Sequence, residues 1–160
     1  MRESLLGVQA DVCAVVGPLA LPLWGDEIGV RARPLPGLGL VGDPLPCCPP
    51  AVVDGLGNGL IPVIAPLAEG PLNVNADDAA SALAVGLGAD RLLFVSDVPG
   101  LYVEGSLAAR IEADEADALL TAGAFEGGIV PKLLAAVRAA RLGVRAEIGE
   151  TEVLATEALA

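Results

Sequence analysis

Between Asn73 and Leu101 the chain switches periodicity repeatedly over a short distance, and this limits the folds open to it. Asn73-Val74-Asn75-Ala76-Asp77 reads as a polar loop. Ala76 to Leu87 then sets Ala79, Ala80, Leu83, Ala84 and Leu87 on one helical stripe, with Gly88 placed to end it. Arg91 to Ser96 follows as a strand apolar on both faces, as in a sheet covered by helices. Val98-Pro99-Gly100 fits a turn with Pro and then Gly at its centre.

The flanking segments extend the alternation. Leu60 to Pro66 is a short apolar run bounded by turn residues, the start of a buried strand. Asp114 to Thr121 reads as a helix opened by acidic residues and ended at Gly123. Ile129 to Leu142 reads as another, with Pro131 in its first turn and Gly143 after its end. Val144 to Ile148 is a further strand. The predicted class is therefore α/β, an open sandwich around a mostly parallel sheet. Residues 1–58 carry weaker signals. Leu5 to Val16 suits a helix entering a strand, and residues 30–50 read as turns and short edge strands. The Pro44–Pro50 stretch cannot be helix interior, and Val52 to Leu56 suits a short helix closed by Gly57 or Gly59.

At 160 residues the chain suits one domain with a real core. Only four residues are aromatic, so Ala, Leu, Val and Gly must fill the interior and let helices and sheet approach closely. The net charge of −12 disfavours nucleic acid and anionic membranes as partners. With no histidine, a Ser-His-Asp triad, a Cys-His pair and a His-ligated zinc site are excluded within this chain. Cys13 and the adjacent Cys47-Cys48 have poor spacing for zinc and suit a reducing compartment, the cytoplasm. The uncharged run Val12–Trp24 is too short and too interrupted by Gly and Pro to span a bilayer, and Glu3 and Asp11 sit where a basic leader would be.

Two clusters carry chemistry. Gly127-Gly128-Ile129-Val130-Pro131-Lys132 holds the only lysine of the chain. Two glycines before a helix let backbone approach a ligand closely, and the helix start offers free N–H groups and partial positive charge. A cation in that first turn is locally unfavourable, so a bound anion would offset it; the plain alternative is a solvated lysine beside a loop. In the other cluster, Asn73 and Asn75 face one side if extended, and two amides could then reach a substrate. Asp77 near the helix start stays ionised; the plain alternative is that Asp77 or Asp78 caps the helix. Ser96 to Gly100 ends a strand, where ligands bind in open α/β sheets. Neither Walker A nor Gly-x-Gly-x-x-Gly occurs.

Together Ile61–Pro66, Asn73–Asp77, Asp97–Gly100 and Gly127–Lys132 resemble the N-acetylglutamate kinases of the amino-acid kinase family, in order and in spacing, over about residues 58 to 145. The resemblance implies a single amino-acid kinase-like domain over 1–160. Within it, 1–58 would be a remnant of the acyl-amino-acid half and 59–160 the nucleotide-binding half. It implies ATP-dependent phosphorylation of the side-chain carboxylate of N-acetyl-L-glutamate, a step of arginine synthesis, with Mg²⁺ held mainly by the ATP phosphates and no protein metal site. Catalytic roles would fall to Lys132, against the transferring phosphoryl group, and Asp77, which organises the site. Asn73 and Asn75 would hold the acyl amino acid. Asp97, Val98, Pro99, Gly100, Leu101 and Tyr102, with Ala124, Phe125 and Glu126, would border the nucleotide, and Gly127 and Gly128 would form the phosphate loop.

The family pattern also has an N-terminal strand with a catalytic lysine and Gly-rich loops, which this sequence does not contain. The chain thus reads as truncated at its N-terminus. That leaves open a non-catalytic nucleotide-binding or subunit-pairing remnant, and also a kinase for a related acid such as acetylaminoadipate. The expected partners are small molecules, ATP and N-acetyl-L-glutamate, with no nucleic acid and no membrane; a homo-oligomer is compatible with the sequence.

Overall fold

The computed structural model describes residues 2–156. The chain forms two compact units, Met1–Ala79 and Ala80–Ala160. Each has two parallel strand pairs and two antiparallel ones among the described residues.

The first unit opens with helix α1 (Arg2–Val16), a 3₁₀ turn (Gly17–Leu19) and strand β1 (Ala20–Trp24). Strands β2 (Ala32–Pro34) and β3 (Val41–Pro44), helix α2 (Pro50–Gly57) and strands β4 (Ile61–Ala65), β5 (Leu67–Ala68) and β6 (Leu72–Val74) follow. Strands β1 and β4 pair in parallel, from Ala20 against Ile61 to Trp24 against Ala65. The one buried residue of α1 is polar. Gln9 Nε2 donates to the carbonyls of Leu23 and Val63, both at 2.8 Å, so one amide ties the helix to both strands. Its apolar side chains Val8 and Val15 consequently stay exposed.

The second sheet of this unit runs in the order β2-β3-β6-β5. Residues 30–50, expected as edge strands, thus supply one edge, β2, and one interior strand, β3, which pairs antiparallel with β2 and parallel with β6. Of the Leu60–Pro66 run, expected to be buried, only Ala65 is buried, and Ile61 is 47% exposed. Strand β4 pairs with β1 alone, so its outer side has no strand to cover it among the described residues.

Helix α3 (Ala76–Leu87) leads into strand β7 (Arg91–Phe94), the hairpin β8 (Tyr102–Val103) and β9 (Ser106–Leu107), and β10 (Arg110–Glu112). Helices α4 (Ala113–Thr121) and α5 (Ile129–Arg141) and strands β11 (Arg145–Ile148) and β12 (Thr151–Leu154) complete the second unit. Its sheet has the order β10-β12-β11-β7. Helix α5 packs on it through Leu133, Ala136 and Ala140, against Phe94, Ile111, Ala146, Ile148 and Val153. Alanines on the helix keep that interface thin, as the scarcity of aromatic residues requires. Helices α3 and α5 end as their glycines foretell. Gly88 and Gly143 both have positive φ, and the residue after each donates to the carbonyl five residues back: Ala89 to Ala84 at 2.9 Å, Val144 to Ala139 at 3.1 Å.

Strand β7 departs from expectation. It stops at Phe94, and only Phe94 is buried; Leu93 is 45% and Val95 80% exposed. The strand lies at the end of its sheet, paired with β11 alone. Apolar runs of this kind do not reveal whether a second face is covered. Arg91, at its start, bonds Glu147 on β11. Among the described residues no helix is long and apolar enough to cross a membrane.

Candidate functional site

A cleft of about 470 Å³ opens in the second unit. One wall is the chain leaving β7: Ser96, Asp97, Val98, Gly100, Leu101 and Tyr102. The other is the connection from α4 into α5: Ala124, Phe125, Glu126, Gly128, Ile129 and Lys132. Two segments separated by a hairpin, a strand and a helix thus converge, as the sequence motifs anticipate. Pro99 and Gly127 lie outside the lining, whereas Ser96 and Ile129 join it. Ile129 is the first residue of an amphipathic helix, and nothing in the sequence marks it as more than core.

The first wall is held by backbone bonds to the β11–β12 turn. Gly149 donates to Phe94 O at 3.1 Å and Glu150 to Pro99 O at 2.7 Å. The Pro-Gly segment bends but closes no type II turn: Gly100 is not in the left-handed region, and the Leu101 N–H goes to Thr151 Oγ1 at 2.9 Å. Gly100 serves space instead: a Cβ there would stand 2.5 Å from Thr151 Oγ1. Short-range rules assign glycine to turns, so this role was invisible without the partner strand.

The second wall begins where α4 ends. Gly123 takes positive φ and Ala124 donates to Leu119 O at 3.0 Å, which turns the chain away from the helix axis. Gly127, with φ 65°, aims the chain into α5. A Cβ on Gly127 or Gly128 would meet nothing within 4 Å, so ligand atoms can come close to the backbone here. No side chain caps α5; Pro131 carries no N–H and the Val130 N–H donates to Gly127 O at 3.3 Å, so the helix end offers the cleft chiefly the partial positive charge of its dipole. Lys132, half-buried in the first turn, adds a full positive charge to the same cleft. Tyr102 and Phe125 supply two of the four aromatic rings of the chain. Asp97 and Glu126 supply acceptors. The arrangement offers flat apolar surface at one part and phosphate-suited groups at another. Among the described residues, no group of three or more His, Cys, Asp or Glu side chains is arranged to hold a metal.

The asparagine cluster belongs to the first unit, and there the structure corrects the sequence reading. Asn73 to Asp77 is not a polar loop. Asn73 lies within β6 between the buried Leu72 and Val74, and its N–H bonds Leu40 O at 2.8 Å. Asn75 caps α3: its Oδ1 accepts the N–H groups of Asp77 at 2.9 Å and Asp78 at 3.1 Å. The cap is thus Asn75, not Asp77 or Asp78, because an acceptor two or three residues before the free N–H groups has the right reach. Asn73 and Asn75 alternate with the buried Leu72 and Val74, and the Asn75 Oδ1 is already committed to the helix. Asp77 and Asp78 stand in the first turn, where the helix dipole favours carboxylates.

A model of the amino acid kinase family matches residues 16–149. The chain belongs to the amino acid kinase family. It is 41% identical over 140 residues to a protein of Roseiflexus castenholzii named acetylglutamate kinase, an alignment covering 82% of this chain and 54% of that protein. It spans about half the length of the curated relatives it matches. A solved Streptococcus mutans protein, smu.665, is 27% identical and aligns with a TM-score of 0.71 over 84% of this chain and 58% of that one. A carbamate kinase of Giardia lamblia, 20% identical, shares the fold, with a TM-score of 0.61 over 94% of this chain and 55% of that one. The mixed α/β architecture described above is the fold of this family.

Proposed function

We propose that this chain carries the nucleotide-binding part of a kinase that transfers the γ-phosphoryl group of ATP to the side-chain carboxylate of N-acetyl-L-glutamate. The observation that carries the reading is Lys132, seated in the first turn of α5 on the wall of a cleft with open glycine backbone beside it. The name borne by relatives about 41% identical supports the choice of acceptor.

In this reading the base and ribose lie against Tyr102, Phe125, Ala124, Glu126 and the Asp97–Leu101 segment, and the phosphates meet the start of α5. A carboxylate oxygen of the acceptor attacks the γ-phosphorus, the bond from that phosphorus to the bridging oxygen breaks, and ADP leaves with an acyl phosphate as product. Charge accumulates on the phosphoryl oxygens, and catalysis consists mainly of positioning and of neutralising that charge. Lys132 supplies a compact cation for it. In the first unit, Asn73 and the remaining Nδ2 group of Asn75 are the groups assigned to the acyl amino acid, with the Asp77 carboxylate in the next turn. Mg²⁺ would be held by the nucleotide phosphates and would neutralise part of their charge, and the protein works in the cytoplasm on small molecules. Its charge of −12 suits neither nucleic acid nor an anionic membrane.

The test is calorimetry of Mg-ATP with the wild type and Lys132→Ala, followed by ADP release with and without N-acetyl-L-glutamate. Saturable binding that weakens on loss of Lys132 is expected. Where turnover is measurable, it should fall about 10²- to 10³-fold, the usual cost of one charge-stabilising group. Absence of nucleotide binding by the wild type would remove this reading. Binding without turnover would reduce it to the non-catalytic module.

A further inference from the structure

We infer that Thr151, a residue outside the cleft lining, is a positioning residue that fixes the cleft's first wall through the Leu101 amide. Thr151 is fully buried at the start of β12. Its Oγ1 accepts the Leu101 N–H at 2.9 Å and donates to Ala108 O at 2.7 Å.

Those two groups are a ladder pair left open. The hairpin β8–β9 pairs Tyr102 with Leu107, so the register sets Leu101 opposite Ala108. Ala108 N–H donates to Leu101 O at 2.9 Å, as the pattern requires. The return bond, Leu101 N–H to Ala108 O, is replaced by the threonine hydroxyl, which takes the proton of one group and gives its own to the other. An antiparallel pair of this kind normally exchanges both bonds directly. Here a side chain from another strand stands between them and spreads the base of the hairpin.

The consequence reaches the cleft by contact. Leu101 and Gly100 line it, and Tyr102, the next residue, stands on its rim. Gly100 has no Cβ, which leaves the hydroxyl its place. The same wall is gripped from its other side by Glu150 N–H on Pro99 O at 2.7 Å. A hydroxyl group alone satisfies this geometry: it must accept and donate at once, within a site closed to water. Serine meets that need and valine, of the same shape as threonine, does not. The methyl group contributes only packing.

The experiment compares wild type, Thr151→Val and Thr151→Ser in the full chain by amide hydrogen exchange at Leu101 and by Mg-ADP calorimetry. The calorimetric arm rests on the nucleotide reading above; the exchange arm does not. In Thr151→Val, Leu101 exchange is expected to quicken about tenfold or more, from loss of a buried hydrogen bond, while the core amides of α5 keep their protection. ADP affinity should fall about tenfold. Thr151→Ser should restore both. If Thr151→Val does not fold, Thr151→Ala, which removes the same hydroxyl without adding bulk, is read in its place and should show the same pair of changes. If the wild type binds no ADP, the nucleotide reading fails and Leu101 exchange alone decides. Unchanged Leu101 exchange in Thr151→Val, or equal loss in Thr151→Ser, overturns the inference.

Discussion

Arg91 on β7 and Glu147 on β11 share a side-chain pair across a parallel strand junction, with Arg91 Nε 3.0 Å from Glu147 Oε2. Arg145 Nε stands 3.0 Å from the other carboxylate oxygen. Glu147 itself is buried. The Arg91 hydrogen bond is the main cause holding its carboxyl below the ordinary value of 4.5, against the opposing effect of burial. A depressed folded value means stability that is fully present above about pH 4.5 and is lost as pH falls through the folded value. Asp114, bonded to Arg141, shifts the same way. Thermal melts of the wild type should therefore drop steeply below pH 4.5. Glu147→Gln should melt lower at pH 7 and change less with acid. Parallel curves for the two proteins would contradict this.

The Asn75 cap gives a second prediction. Asn75→Ala leaves the Asp77 and Asp78 N–H groups without their acceptor and should cost about 1 kcal/mol. Asn75→Asp keeps an acceptor and should cost little. Urea unfolding midpoints measure both, and equal midpoints for wild type and Asn75→Ala would refute the cap.

Leu133 and Leu134 are neighbours on α5 with opposite fates. Leu133 is fully buried and Leu134 is 47% exposed. Leu133→Ala should cost about 2–5 kcal/mol, because small alanine neighbours cannot collapse into the space. Leu134→Ala should stay within about 0.5 kcal/mol. Comparable losses for the two would show that α5 is oriented differently.

Tyr102, 52% exposed at the rim of the cleft, is the test of base stacking. Under the proposed function, Tyr102→Ala should weaken ADP by about 1–3 kcal/mol, the usual range for one aromatic–base stack. Tyr102→Phe should bind as the wild type does. Inorganic tripolyphosphate, which has no base, should bind all three alike. Loss of tripolyphosphate binding as well would point to damage at the α5 end.

Local chemistry in the sequence was enough for several elements. Helix α3 spans Ala76–Leu87 as its stripe and Gly88 foretell, and α4 and α5 start and stop within a residue of the expected Asp114–Thr121 and Ile129–Leu142. These are short-range effects, so a window of a few residues contains their cause. The convergence of the Asp97–Tyr102 and Ala124–Lys132 segments was legible too, but only because several motifs matched one family in order.

Other features depend on partners distant along the chain. Strand β12 lacks a local signal because its buried face pairs Thr151 with Val153 and its other face pairs Glu152 with Leu154, so apolar and polar residues do not alternate. Gln9 looks like a surface residue until Leu23 and Val63 bring two carbonyls to it. Gly100 looks like a turn residue until Thr151 occupies the space where its side chain would be. Sequence by itself determined the periodic elements, their punctuation and the family, since each follows from residues close together or from ordered motifs. Tertiary structure decided which faces are covered, which amide is a cap and which hydroxyl closes a ladder. Those outcomes turn on hydrogen-bond partners and excluded volume from distant segments, as with Gln9 and Val63, 54 residues apart.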